Sequence, residues 1–66
     1  MTNSEIAAKL RELTQETRTL QQHLRRLLEP LGRQDPVTTR RLEDVLRELE
    51  RLAGETEKLA ALAEAQ

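Results

Sequence analysis

One histidine, His23, and no cysteine are all that this 66-residue chain offers for nucleophilic or metal chemistry. A lone imidazole cannot complete a histidine-based zinc or haem site, and no thiolate ligand set or Cys–His pair can be built. No Glu-x-x-His pair of the kind that lines di-metal bundles is present. Nor is there a Ser–His–Asp set or a Gly-rich phosphate loop. Carboxylates are plentiful, but their spacing puts them on outward helix rows, without a concave site to raise a pKa for acid–base work. No catalytic, cofactor-binding or metal residue is assigned, and a non-enzymatic protein is expected. His23 is expected to hydrogen-bond Glu48 or water.

The side chains that do recur with a rule are apolar. Ile6, Leu10, Leu13, Leu20, Leu24, Leu27 and Leu31 follow one another in steps of three and four once Thr17 is admitted. That is a heptad repeat and not a strand alternation. Leu10, Thr17, Leu24 and Leu31 take a positions, and Ile6, Leu13, Leu20 and Leu27 take d positions. A second repeat runs through Leu42, Val45, Leu49, Leu52, Thr56, Leu59 and Ala63. There Leu42, Leu49, Thr56 and Ala63 are a; Val45, Leu52 and Leu59 are d.

The elements that carry these repeats have readable ends. Thr2-Asn3-Ser4-Glu5 forms a plausible capping box, and Glu29 before Pro30 ends the first helix. Gly32 is available for a left-handed cap. Asp35-Pro36 restarts a helix, since Asp can cap and Pro suits the first helical position. The spacing predicts helix 1 over about 4–29, a turn over about 30–35 and helix 2 over about 36–64, one domain in all. Gly54 falls on an outward f position and should weaken helix 2 by about 1 kcal/mol relative to Ala, with a kink there left open.

Folding the chain back between Gln34 and Asp35 brings every a residue against a d residue, Leu24 with Val45 and Leu20 with Leu49. The expected fold class is all-α, an antiparallel two-helix hairpin with coiled-coil-like heptads that dimerises into a four-helix bundle. Thr17 then faces Leu52 and Thr56 faces Leu13. Each hydroxyl is expected to bond back to its own helix, at the carbonyls of Leu13 and Leu52; a polar seam fixing register is the alternative.

The a and d seam would suffice for a self-contained hairpin, yet the e positions are also small or apolar. Ala7, Thr14, Gln21, Leu28, Thr39, Leu46, Ala53 and Ala60 carry no charge. A stripe this wide suits a bundle core. The oligomer interface is therefore placed at Ala7, Thr14, Gln21, Leu28, Leu46, Ala53 and Ala60. The b positions read Ser4, Arg11, Arg18 and Arg25 on helix 1, and Glu43, Glu50, Glu57 and Glu64 on helix 2. Two readings stand: solvated rows, or pairing between subunits. The second sets Arg11, Arg18 and Arg25 against a partner's Glu43, Glu50 and Glu57, with helix 1 beside the partner's helix 2.

Composition makes a partner chain the expected staple. There is no Phe, Tyr or Trp, and Leu, Ile, Val and Ala must supply the whole core. Chains this short normally need a disulfide, a metal or another chain, and the first has no cysteine to form it. Net charge is −1, which suits complementary packing better than a nucleic-acid or membrane surface. Residues 1–33 carry six basic and four acidic side chains, and residues 34–66 five and eight. No apolar run reaches bilayer length and no signal-peptide core follows Met1, so a cytoplasmic protein is expected.

Two resemblances follow from these features. The stretch Thr14–Arg26, reading TQETRTLQQHLRR, is basic with one acid, Glu16. In length and bundle architecture the chain resembles the Rop family of plasmid copy-number proteins, which implies an RNA-binding face on the first helices. The aromatic residue that family uses there has no counterpart, and RNA recognition normally stacks bases on aromatics, which argues against a nucleic-acid partner. In size, hairpin form and breaker-rich turn it is also similar to the small co-chaperones of type III secretion. That similarity implies a groove that clamps an amphipathic helix of another protein. The leading expectation is a self-associating interaction module, a homo-oligomer and most simply a dimer.

Overall fold

Thr2 opens the first helix as the spacing predicts. Its hydroxyl accepts from the Glu5 backbone N–H at 3.2 Å while the Glu5 carboxylate accepts from the Thr2 N–H, a complete capping box. In the computed structural model, which describes residues 1–66, the chain is all-helical: α1 (Asn3–Arg25), α2 (Leu28–Gln34) and α3 (Pro36–Ala65). Together they make a rod of 49 × 15 × 13 Å. No helix is long and apolar enough to cross a membrane.

The first helix ends earlier than expected, and Pro30 is the reason. A proline ring inside a helix clashes with the carbonyl four residues back, here that of Arg26, and leaves that carbonyl without a donor. The backbone breaks at Arg26–Leu27, where the Leu27 N–H bonds the Leu24 carbonyl in a tightened last turn at 3.0 Å. Helix then resumes at Leu28, which puts Pro30 in the first turn of α2, where its missing N–H is no loss. The expected turn over 30–35 is thus helix except at Asp35. Gly32 makes no left-handed cap, because no glycine has a positive φ; its α-carbon faces Thr39 of α3 instead.

Asp35 restarts the chain as the sequence indicates. Its backbone leaves the helical region, at φ −147° and ψ 88°, and its carboxylate accepts from the Thr38 N–H at 3.0 Å and the Thr38 hydroxyl at 2.6 Å. These two donors hold the Asp35 carboxyl below its ordinary value of 3.8. Pro36 occupies the first turn of α3, which then runs unbroken through Gly54.

Contacts between α1 and α3 fix their relation. Arg11 meets Glu64, Arg18 meets Glu57 and Gln21 meets Glu50. Partners descend along α3 as they ascend along α1, so the two helices run antiparallel. The Thr14 and Thr56 hydroxyls, in contact across the two helices, mark the register at mid-length.

Candidate association surface

The stripe that faces inward is not the expected one. Ala7, Thr14, Gln21, Leu46, Ala53 and Ala60 are the only buried residues of the chain, and every one is an e position. Leu28 and Thr39, also e, are half-buried. Small e side chains let the two backbones approach closely, so the seam closes on them. The a residues are half-buried along its edge. The d residues are left on the outside: Ile6, Leu13, Leu20, Leu27, Val45, Leu52 and Leu59 are 36% to 52% exposed. Of the residues expected at an oligomer interface, Ala7, Thr14, Gln21, Leu46, Ala53 and Ala60 are thus buried within the single chain, and Leu28 is half-buried.

The same rotation settles where the b rows go. On a helix b lies just beyond e, so the arginines of α1 and the glutamates of α3 close over the outer edge of the seam. Arg18 reaches Glu57 at 3.0 Å, and Arg11 pairs with Glu64. Glu50 instead accepts from the buried Gln21 amide at 2.9 Å. Arg25 and Glu43 border one shallow depression without forming an ion pair. Arg11 and Arg18, expected to meet a partner's glutamates, thus pair inside the chain, while Arg25 makes no ion pair.

Besides Gln21, the hydroxyls of Thr14 and Thr56 lie at the seam, and both have partners. Thr14 donates to the Leu10 carbonyl at 2.9 Å and its hydroxyl contacts that of Thr56, which also lies 3.1 Å from the Ala53 carbonyl. The Thr14 proton goes to Leu10, so the single Thr56 proton is shared between the Thr14 oxygen, as acceptor, and the Ala53 carbonyl. Thr17 bonds back to Leu13 at 2.9 Å as expected. Thr56 reaches Ala53 rather than Leu52, and it faces Thr14 rather than Leu13. No buried side-chain nitrogen or oxygen lacks a partner.

What remains open to solvent is a continuous apolar face. Its centre is the half-buried a row, Leu10, Leu24, Leu31, Leu42 and Leu49, flanked by the exposed d rows of both helices. On α1 it is bordered by Lys9, Glu16 and His23, and on α3 by Arg41, Glu48 and Glu55. His23 makes no bond to Glu48, whose carboxylate is held by Arg51 at 2.9 Å. The Thr14–Arg26 stretch does not form one basic face, because Thr14 and Gln21 are buried and Arg18 is paired. No three His, Asp or Glu side chains gather at metal-binding distance.

Comparison with known proteins gives no relative. No family model, curated protein or solved structure matches the chain. The functional reading therefore rests on this surface alone.

Proposed function

We propose that this protein is a helical association module whose leucine face seals against a second copy of itself, giving a dimeric four-helix bundle. One observation carries the reading: the chain buries three alanines and a single leucine among its apolar side chains, while its large d side chains stay open. Full burial of a leucine is worth roughly 1.5–3 kcal/mol, so each half-exposed d residue leaves about 1 kcal/mol unrealised. A chain this short with no cysteine to form a disulfide has few other sources of such a contribution. A contiguous apolar face of this extent is also what marks an association site on a protein surface.

A second copy is the occupant that the face itself suits. It offers a matching heptad repeat of the same length, and two antiparallel pairs make a four-helix bundle with a at the centre and d at the new seams. Sedimentation equilibrium tests the reading, with twice the chain mass expected and a helical monomer overturning it. A monomer would leave the face for an amphipathic helix of another protein.

A further inference from the structure

We infer that association is the folding step: a single chain has no stable folded state, and the hairpin forms cooperatively only as a second copy covers its leucine face. This deepens the self-association reading and rests on it, and it holds however the two copies are set together. The amount of chain present then decides how much of it is folded.

Surface area carries the inference. A compact monomer of this mass, 7.6 kDa, exposes about 4,300 Å² by the usual scaling of folded surface with mass. This chain exposes 5166 Å². The surplus of roughly 900 Å² is close to the ~800 Å² that each partner covers in a stable interface of standard size. Shape accounts for it: the molecule is 49 Å long and only 15 × 13 Å across. Two helices have one seam between them and no second layer, and the large d side chains stay open on one face.

The burial achieved within one chain is small beside the entropy of ordering 66 residues. No large side chain is fully buried. The seam rests on Ala7, Ala53 and Ala60, each contributing one methyl group, and Leu46 is the one large apolar side chain among the buried residues. Polar links across the seam do not fill the gap. Arg11–Glu64 and Arg18–Glu57 are well exposed on both sides, and such ion pairs contribute little. The Gln21–Glu50 and Thr14–Thr56 contacts satisfy groups that the seam itself desolvates, so they remove a penalty more than they add stability. A small scaffold of this kind stands near zero net stability by itself.

Local structure outlasts the fold. Helices α1 and α3 are 23 and 30 residues long and carry the Thr2 and Asp35 caps, so a lone chain keeps part of its helix and melts broadly. A second copy supplies the missing apolar burial and binds only the folded form, which draws the equilibrium toward folded dimer by mass action.

Guanidinium unfolding at chain concentrations spanning a hundredfold tests this, with helix read by far-ultraviolet circular dichroism and mass by sedimentation under the same conditions. Dichroism is the probe because the chain has no Trp or Tyr. One sigmoid is expected, in which helix and dimer mass disappear together. Hundredfold dilution should lower its midpoint by about 0.5–1 M guanidinium, given the concentration dependence of a dimer and the slope for two chains of this size. A midpoint that does not move, or a mass that halves while the helix persists, overturns the inference and leaves self-association standing. A monomeric mass at every concentration without denaturant overturns the association reading beneath it.

Discussion

At the scale of single residues, the two glycines and one aspartate carry the sharpest consequences. A methyl group added at Gly54 would meet nothing within 4 Å, and at Gly32 only the Thr39 side chain in ordinary contact at 3.9 Å. Neither glycine has a positive φ. Gly54→Ala should therefore stabilise the protein by about 0.5–1 kcal/mol, through lost freedom of the unfolded chain and better helix propensity. Gly32→Ala should stabilise too, read as a rise in thermal midpoint. A fall at Gly32 would mean that it caps a helix in the left-handed conformation after all. Asp35 adds a pH dependence of known sign. Its carboxyl is held below 3.8 by the Thr38 hydroxyl and N–H. Its stabilising share is thus present above 3.8 and is lost as pH falls through the lowered folded value. Asp35→Asn keeps a side-chain acceptor without that titration. The variant's stability loss relative to the parent should shrink as pH drops from 5 toward 2 in denaturant melts.

Among the elements, the seam between α1 and α3 is small-residue, polar-tolerant and edged by charge. Arg18→Glu should weaken it by less than about 1 kcal/mol, since Arg18 and Glu57 are both well exposed and such pairs are worth little. Adding Glu57→Arg on the same chain should restore part of the loss, and adding Glu50→Arg should not. The coupling arises inside one chain, so it should persist unchanged when protein concentration is varied in a double-mutant cycle. Coupling of Arg18 to Glu50 that depends on concentration would return the b rows to the space between subunits.

For the whole molecule, seam and face should respond differently to the same insult. Leu52→Glu places a charge on a d position, outside the α1–α3 seam, where it opposes association and leaves the intrachain contacts in place. Ala53→Glu, one residue away, forces a charged side chain into a fully buried e position where the helices touch. The first should lower the mass from dimer to monomer with reduced helicity. The second should abolish cooperative unfolding altogether. Light scattering and circular dichroism on both variants check this pair. Equal behaviour of the two would erase the distinction between an inner and an outer stripe.

Much of this was legible in the residues. Thr2–Glu5 and Asp35-Pro36 determine where helices begin, because each cap is a local hydrogen-bond pattern. The two heptad repeats favour an antiparallel fold-back without fixing its register, since their apolar phases come together again every few residues. The break falls at Arg26–Leu27 and not at Pro30 itself, because a proline acts on the carbonyl four residues before it and can itself sit in the next helix. Only the tertiary structure decided the rotation of each helix about its axis. With a, d and e all uncharged, an a/d seam and an e-centred one both bury an uncharged stripe, so periodicity does not distinguish them. The choice falls to side-chain volume and to the arginine and glutamate rows beside e. Ala7, Ala53 and Ala60 let the backbones close where leucines would hold them apart, and that closure turns the leucines outward.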